Sequence, residues 1–298
     1  MDTGNPIFAV EIAVDDFTVP VLLELLSALD FPPTAISSYE DVDAHAGTVY
    51  ILGDTPEEQA AAMRQLESAL PHWASELPSP VKSVRAATIK REDWSESWKR
   101  YFHPFRASRR VVIRPSWEEC QAEPGDVLLE IDPGMCFGTG SHGTTMACIQ
   151  YLDEIAADSG EGLSFIDAGC GSGILSMAAR KLGYGRVFAF DYDPQCIAVS
   201  RENLARCGVS GVELAQGDVH DIEVPFQADV VVANILGHIL LEADRHLLTM
   251  IRPGGSLVLS GILNEQFPAI ASHFVRLGMV ELERRSIKEW TSGRFMKQ

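Results

Sequence analysis

The sequence predicts an α/β chain in two parts: a small mixed module, then a doubly wound parallel sheet that ends in an antiparallel hairpin. Before residue 91, the hydrophobic runs follow the order β-α-β-β-α-β. From residue 134 onward, short β-rich runs alternate with helical segments, which is typical of a parallel sheet with helices on both faces. A length of 298 residues leaves room for two domains with separate cores.

The first part, residues 1–91, is predicted to be a ferredoxin-like α+β domain for substrate recognition. Its predicted elements are a strand at 7–14, a helix at 19–29, strands at 35–39 and 48–52, a helix at 56–74 and a strand at 82–90. The second helix has the clearest start. Thr55 offers a capping hydroxyl, Pro56 suits the first helical position, and Glu58 completes a capping box.

Residues 92–133 are predicted to form a connector that carries no recognisable chemistry. Trp94, Trp98 and Phe102 recur at helical spacing until Pro104 ends the helix, and strand-like runs follow at 109–113 and 127–131. An aromatic stripe of this kind more often packs against a neighbouring element than binds a ligand. We therefore interpret these side chains as core.

Residues 134–298 carry the predicted parallel sheet. The predicted strands lie at 165–167, 187–191, 212–214, 230–234 and 256–260. The predicted helices run over 144–155, up to 182, over 194–207, up to about 251 and up to 277. A hairpin of strands 280–288 and 294–297, turning across Thr291-Ser292-Gly293, is expected to close the domain.

Charge is distributed unevenly along the chain. The formal net charge is −18, and residues 1–80 hold fourteen acidic side chains and one basic side chain, Arg64. Residues 81–118 are basic, with ten basic and four acidic side chains. This balance argues against nucleic acid as a direct substrate and against anionic membranes, and favours a basic protein partner. The acidic module is either a solvated surface or a docking surface for a lysine-rich protein.

Cysteine spacing and the N-terminus point to a cytoplasmic protein. The six cysteines form no C-x-x-C pair, so neither a zinc knuckle nor a disulfide framework is predicted. His142 has no second ligand at metal-binding spacing, and we expect no metal. The start of the chain lacks a signal-peptide pattern, and no uncharged apolar stretch is long enough to span a membrane.

A glycine turn is the strongest local signal for a binding site. Gly169, Gly171 and Gly173 follow a predicted strand and open a helix, where the backbone needs positive φ and a close approach to a ligand. Ile174 stands where a G-x-G-x-x-G dinucleotide motif requires glycine, which disfavours a nicotinamide cofactor. The glycine-rich segment 134–141 lacks the Lys-Ser/Thr of a phosphate-binding loop.

Polar residues end several predicted strands of the same sheet. Asp191 and Asn234 come directly at strand ends, and Asp218 follows another strand. Ligands of open α/β sheets bind beyond the carboxyl ends of the strands, where Asp191 can accept both hydroxyls of a ribose and Asp218 can accept an adenine amino group. Taken singly, each residue also fits a turn or a helix cap.

Together these motifs resemble a known family. Asp167-Ala-Gly-Cys-Gly-Ser-Gly173, with Asp191 and Asn234, resembles the nucleotide pocket of the Rossmann-like class I S-adenosylmethionine-dependent methyltransferases. More narrowly, three segments resemble the PrmA family, lysine methyltransferases of large-subunit ribosomal protein eleven. They are Asp132-Pro-Gly-Met-Cys-Phe-Gly-Thr-Gly-Ser-His-Gly-Thr-Thr145, Val231-Val-Ala-Asn-Ile-Leu236 and Ser260-Gly-Ile-Leu263. The chain departs from the family pattern at Gly143, at Ala168 and at Gly237-His238-Ile239.

The resemblance implies a site and a reaction. It implies methyl transfer from S-adenosylmethionine to an amine, and it makes Thr145, Gly169, Asp191 and Asn234 cofactor contacts. With the strand-end residues added, the predicted cofactor-binding set is Thr145, Asp167, Gly169, Gly171, Gly173, Asp191, Asp218 and Asn234. Asn234 is the predicted catalytic residue, because a neutral amide can orient the amine without adding charge. Thr145 lies at a helix start suited to a ligand carboxylate.

Three alternatives remain open at this stage. The chain could methylate another protein, it could methylate RNA, or it could bind the cofactor without turnover. His142 is either a packing residue or a pocket contact.

Overall fold

The computed structural model describes residues 6–27, 29, 31, 35–41, 45–74, 76–89, 102–132, 136–138, 140–160 and 162–298. The chain divides into two compact units, Met1–Tyr101 and Phe102–Gln298. Trp94 and Trp98, and with them most of the predicted connector helix, lie outside the described residues. None of the described helices combines the length and the apolar character needed to cross a membrane.

The first unit has the predicted β-α-β-β-α-β order. Its elements are β1 (Ile7–Val14), α1 (Val19–Ser27), β2 (Ile36–Asp41), β3 (Ala46–Gly53), α2 (Pro56–Trp73) and β4 (Ser83–Ile89). The four strands form one antiparallel sheet in the order β2-β3-β1-β4. This arrangement confirms the ferredoxin-like prediction.

Alternation along β1 supplies the core of this unit. Val10, Ile12 and Val14 are buried and pack with Leu22 of α1 and Leu66 of α2. Side chains two residues apart share one face of a strand, so the helices cover that face.

The start of α2 is fixed by its capping box. The Thr55 side chain accepts a hydrogen bond from the Glu58 amide at 3.2 Å, and the Glu58 carboxylate accepts one from the Thr55 amide at 3.3 Å. The two bonds satisfy amide groups that have no partner within the helix.

The second unit begins with a small three-stranded sheet. Its strands are β5 (Phe105–Arg106), β6 (Val111–Arg114) and β7 (Val127–Glu130). A long helix, α3 (Gly143–Ser159), anchors this sheet through the buried Asp153. The Asp153 carboxylate accepts hydrogen bonds from the Ser108 hydroxyl at 2.7 Å and from the Arg110 amide and guanidinium at 2.9 and 2.5 Å.

The large sheet of the second unit has seven strands. The strands are β8 (Ser164–Ala168), β9 (Arg186–Asp191), β10 (Val212–Gln216), β11 (Ala228–Asn234), β12 (Ile251–Leu263), β13 (Met279–Ile287) and β14 (Trp290–Lys297). The helices between them are α4 (Ile174–Lys181), α5 (Pro194–Arg206), α6 (Gly237–Glu242), α7 (Asp244–Thr249) and α8 (Phe267–Arg276).

The order of these strands sets the position of the site. The sheet runs β10-β9-β8-β11-β12-β14-β13, and β14 is antiparallel to both of its neighbours. The central strand β11 is apolar on both faces, with Val230, Val231 and Val232 buried, as expected for a strand covered by helices on each side. The chain order reverses direction between β8 and β11, which leaves a crevice beyond their carboxyl ends.

Two predicted boundaries are wrong. The helix expected to reach about residue 251 is two short helices, α6 and α7, and Ile251 already begins β12. The expected hairpin turn at Thr291-Ser292-Gly293 lies at residues 288–289, where Lys288 adopts a φ of 53°.

Long-range contacts explain why the small residues 291–293 belong to β14. The Ser292 hydroxyl lies 2.7 Å from that of Ser260, and a Cβ on Gly293 would lie 2.6 Å from the Phe267 ring. Small residues such as these are common in turns, and the partners that hold them in a strand are distant in the sequence. The local sequence therefore favoured a turn.

Candidate functional site

The ends of β8 and β11 bring two predicted site residues to one edge of the sheet. These strands are parallel neighbours, with Asp167 opposite Val232, and Asn234 is the last residue of β11. Asn234 in turn pairs with Ser260 of β12. The predicted residues therefore lie at the switch point of the sheet, where ligands of this fold class bind.

The glycine turn connects β8 to α4 in a backbone conformation that favours glycine. Gly169, Gly171 and Gly173 all have positive φ, at 80°, 53° and 79°. The Gly169 amide donates to the Phe190 carbonyl of β9 at 3.0 Å, which holds the turn against the neighbouring strand. A side chain at any of the three would place strain on this turn.

A preceding segment, residues 136–138, packs directly on the glycine turn. The Ser172 amide donates to the Phe137 carbonyl at 2.9 Å, and the Ser172 hydroxyl donates to the Gly138 carbonyl at 2.5 Å. A Cβ on Gly171 would lie only 2.4 Å from the Phe137 carbonyl oxygen. The sequence reasoning did not identify these contacts; the serine between Gly171 and Gly173 was the only local signal.

Asp191 ties the end of β9 to the same turn. Its carboxylate accepts hydrogen bonds from the Gly171 amide at 2.9 Å and from the Asp193 amide at 3.0 Å, one at each oxygen. Asp191 is buried, and this burial raises the pKa of its carboxyl above the ordinary value. A carboxylate has about four acceptor sites, so the group retains capacity to accept a further hydrogen bond.

Asp167 is a buried carboxylate that is satisfied on one side only. Its Oδ2 accepts hydrogen bonds from the Ser176 amide at 3.1 Å and the Ser176 hydroxyl at 2.7 Å. Its Oδ1 is buried and has no hydrogen-bond partner among the residues that the structure describes. Burial raises the pKa of Asp167 to about 7, although the bonds from Ser176 oppose that rise. Ser176 was not predicted, because its position nine residues after Asp167 forms no recognised motif.

Two other predicted residues share this property. Within the described part of the chain, Thr145 Oγ1 in α3 and Asn234 Oδ1 in β11 are buried polar atoms without a hydrogen-bond partner. Ser260 links their elements, since its hydroxyl donates to the Thr144 carbonyl at 3.2 Å and its backbone pairs with Asn234. Leaving buried polar groups unsatisfied costs about 1–3 kcal/mol each, so such groups at one sheet edge indicate a polar ligand.

His142 caps the helix that carries Thr145. Its Nδ1 lies 2.7 Å from the Thr144 hydroxyl, and its ring contacts those of Phe137 and Trp290 with centroids 5.1 and 5.0 Å away. Burial lowers the pKa of His142 to about 4, so the ring is neutral at neutral pH. The contacts assign His142 a capping and packing role.

Asp218 lies apart from the buried group. The Gly217 amide donates to the Asp191 carbonyl at 3.0 Å, which brings the residue before Asp218 next to Asp191 in space. The Asp218 carboxylate is half exposed and is bound by the backbone amide and the ring of His220, which hold its pKa below the ordinary value. The structure thus places Asp218 at the rim of the site.

The fit to S-adenosylmethionine can be tested on these observations. The ligand carries a ribose, an adenine, a carboxylate and an ammonium group, each of which needs hydrogen-bond partners. The glycine turn leaves open backbone, Asp191 has free acceptor capacity, and three buried polar atoms lack partners. The residues present therefore fit the ligand.

Comparison with known proteins identifies the family. The family model described as ribosomal protein L11 methyltransferase (PrmA) matches residues 36–298. The chain is 41% identical over 239 residues to the ribosomal protein L11 methyltransferase of Geobacter metallireducens, covering 80% of this chain and 77% of that protein. It is 36% identical over 299 residues to that of Geotalea uraniireducens, covering 95% and 94%.

A solved structure agrees with this match. The crystal structure of a ribosomal protein L11 methylase from Lactobacillus delbrueckii subsp. bulgaricus aligns with a TM-score of 0.60 at 30% identity. The alignment covers 66% of this chain and all of that one. The chain therefore belongs to the ribosomal protein L11 methyltransferase (PrmA) family, whose members are S-adenosylmethionine-dependent methyltransferases.

Proposed function

We propose that this protein methylates amino groups, lysine side chains among them, of ribosomal protein L11. The relatives at 41% and 36% identity are named ribosomal protein L11 methyltransferases, and the amino groups are our proposal for the atoms that receive the methyl group. The observation that supports the proposal best is the set of unsatisfied buried atoms of Asp167 in β8, Asn234 in β11 and Thr145 in the helix bonded to β12. We propose the cytoplasm as the location, since that is where this substrate is made.

The proposed cofactor contacts follow from the polarity of each residue. Asp191 accepts the ribose hydroxyls, and Asp218 accepts the adenine amino group at the rim. Thr145, at the start of α3, binds the carboxylate end of the cofactor, where helix amides favour negative charge. Asp167, with its unsatisfied Oδ1, faces the ammonium group. Bound S-adenosylmethionine supplies an electrophilic methyl group on a sulfonium sulfur.

Asn234 is the proposed catalytic residue. A lysine amine has a pKa near ~10.4 in water and must lose its proton before it can act as a nucleophile. A partly dry site lowers the pKa of such an amine. The free Oδ1 of Asn234 can accept an N–H bond from the neutral amine and direct its lone pair, and the amide adds no charge.

The first unit is the proposed docking surface for the substrate. The exposed acidic residues on and around α2 are Asp54, Glu57, Glu58, Glu67 and Glu76. Ribosomal proteins bind RNA and present basic surfaces, which an acidic surface complements. This arrangement would raise the local concentration of lysine near the second unit without requiring a contact at the crevice.

A transfer assay tests the proposal. The purified full-length protein is incubated with S-adenosylmethionine and ribosomal protein L11, and the mass of L11 is followed. We expect mass gains equal to whole methyl groups that fall on amino groups in peptide maps. Replacing the modified lysines by arginine should remove their share of the gain.

A cell extract with labelled cofactor provides the control. Label that survives ribonuclease and is lost to protease supports a protein substrate, and the mass of the labelled band identifies it. Label lost to ribonuclease would show that the methylated substrate is RNA and would contradict a protein substrate. Cofactor binding with no transfer to either would contradict an enzymatic function.

A further inference from the structure

Two cysteines from distant parts of the sequence meet beside the cofactor crevice. The Sγ atoms of Cys136 and Cys196 lie 2.9 Å apart. Cys136 belongs to the segment 136–138 that covers the glycine turn, and Cys196 lies in the first turn of α5, shortly after Asp191. The pair therefore bridges two walls of the site.

Other cysteines of the second unit are engaged differently. The Cys207 thiol donates to the Glu130 carbonyl at 3.0 Å, and the Cys170 thiol lies 3.6 Å from the Ser200 hydroxyl. Burial raises the pKa of Cys148 to about 12 and also raises that of Cys170, which disfavours their reactive thiolate forms.

The Cys136–Cys196 pair has the features of a reactive thiol pair. The Cys196 thiol donates its hydrogen to Cys136, and this bond lowers the pKa of Cys136 below the ordinary value. Cys136 is 6% exposed, whereas Cys196 is partly exposed and gives access from solvent. A thiol with a lowered pKa and a second thiol in contact is the arrangement in which oxidation leads to a disulfide.

We propose that Cys136 and Cys196 form a reversible disulfide when the protein meets a hydroperoxide, and that this modification lowers cofactor binding. A disulfide has an S–S length of about 2.0 Å, so the two sulfurs need to approach by about 1 Å from their present contact. A transient disulfide of this kind is compatible with a reducing compartment.

The chemistry balances with a hydroperoxide as the oxidant. The Cys136 thiolate attacks one peroxide oxygen, the O–O bond breaks, and with a proton from solvent the products are a sulfenic acid and water or an alcohol. The Cys196 sulfur then attacks the Cys136 sulfur, the S–O bond breaks, and the hydroxyl leaves as a second water with the Cys196 proton. Two thiols are oxidised by two electrons and one peroxide bond is reduced. A dithiol restores both cysteines by exchange.

The effect on the site follows from what each cysteine adjoins. Cys136 precedes Phe137 and Gly138, whose carbonyls hold Ser172 in the glycine turn. Cys196 lies on the helix capped by Asp193, which also binds Asp191. A shift of about 1 Å on either side displaces groups that bind the cofactor, and misplacements of that size can reduce activity by up to about a hundredfold.

Oxidation of the full-length protein tests the proposal. The protein is treated with hydrogen peroxide, digested without reduction and analysed by mass spectrometry, and cofactor affinity is measured by calorimetry. We expect a peptide linked through Cys136 and Cys196, an affinity at least fivefold weaker, and full recovery with dithiothreitol. The Cys196→Ser and Cys196→Ala variants should form no link and keep their affinity after peroxide, while Cys120→Ser should behave like the parent protein.

Two results would overturn the proposal. One is peroxide oxidation of the other cysteines with no link between 136 and 196. The other is an equal loss of affinity in the Cys196 variants, which would place the damage elsewhere. Because the link is read by mass, it is detected even if the enzyme acts on a substrate other than L11.

Discussion

Two buried aspartates of the second unit have opposite surroundings. Asp153 is 3% exposed and Asp167 is fully buried. Burial alone would raise the pKa of Asp153, but hydrogen bonds from Ser108 and Arg110 hold that pKa below the ordinary value. Asp167 has no such cation among its hydrogen-bond donors, and burial raises its pKa to about 7.

The difference separates a fully paired carboxylate from one that, as we propose, a ligand completes. Asp153 joins α3 to the small sheet β5-β6-β7 and is paired with a cation. Asp167 keeps an unsatisfied oxygen at the switch point. A buried charge is tolerated when it is fully paired, and a group left short of partners indicates that something outside the chain completes it.

The largest expected effect is on the pH dependence of stability at Asp167. Between pH 3.8 and about 7, the folded state holds a proton on Asp167 that the unfolded state has released, so stability falls as the pH rises. Asp167→Asn removes this titration. The unfolding free energy of the variant should therefore rise relative to that of the parent as the pH increases from 4 to 8. At about 1.4 kcal/mol per pKa unit, we expect this relative gain to reach about 4 kcal/mol at pH 8.

Hydrogen exchange of the β8 amides in the ligand-free full chain measures this change in the second unit. In this variant the side-chain carbonyl oxygen at position 167 can still accept the hydrogen bonds from Ser176. The comparison of stabilities therefore does not include the loss of those two bonds. Parallel pH profiles for parent and variant would show that Asp167 is compensated like Asp153.

The opposite sign is expected at Asp153. Asp153→Ala leaves the Ser108 hydroxyl, the Arg110 amide and Nε of the Arg110 guanidinium without their carboxylate acceptor. Breaking such a pair is expected to lower the unfolding free energy by about 3 kcal/mol. Urea unfolding provides the measurement, and Asp158→Ala, an exposed carboxylate on the same helix, is the matched control with a change below about 0.5 kcal/mol. Equal losses of unfolding free energy in Asp153→Ala and Asp158→Ala would contradict a stabilising role for the Asp153 carboxylate.

The third prediction concerns turnover. Asn234→Ala removes an oxygen that accepts no hydrogen bond from the described residues, so stability should change little. We expect kcat to fall about a hundredfold, the usual effect of losing a group that orients a reacting atom. Asn264→Ala is the control, because the Asn264 amide donates to Lys288 and its oxygen accepts from Thr291. Its kcat per folded molecule should stay within about twofold, and a fully active Asn234→Ala enzyme would refute the assignment.

The smallest expected effect is on cofactor affinity. Asp191→Asn replaces a charged acceptor near the proposed ribose with an amide that has one acceptor oxygen. Hydrogen bonds to charged groups contribute about 1.5–3 kcal/mol, and we expect a loss of about 2 kcal/mol, or about thirtyfold in Kd. Calorimetry compares it with Asp193→Asn, which changes the neighbouring helix cap and removes a nearby charge but leaves the Asp191 carboxylate in place. Equal affinities for the two variants would count against Asp191 as a ribose acceptor.

The sequence was sufficient for features that depend on local patterns. Gly169, Gly171 and Gly173, and the strand-end residues Asp191 and Asn234, were assigned positions that the structure reproduces, because strand, turn and helix signals lie next to each other along the chain. The comparisons with known proteins confirm the family resemblance and the fold class.

Features that depend on distant partners could not be predicted. The contact of Phe137 with Ser172 joins residues far apart in sequence, and Ser176 reaches Asp167 only once α4 packs on β8. The turn at Lys288 was misplaced for the same reason. Thr291 and Ser292 are stable in a strand because Asn264 and Ser260 bind their hydroxyls.

The terminal hairpin has a consequence for folding kinetics. β13 is the edge strand and joins the sheet through β14. For β13 and β14 to dock on β12 as one unit, the turn at 288–289 has to close first. Hairpins form in about 1–10 μs, much faster than long-range pairing such as that of β12 with β14. Docking also brings Ser292 to Ser260, the strand partner of Asn234. We therefore expect the hairpin to form before the long-range pairing that completes the sheet beside Asn234.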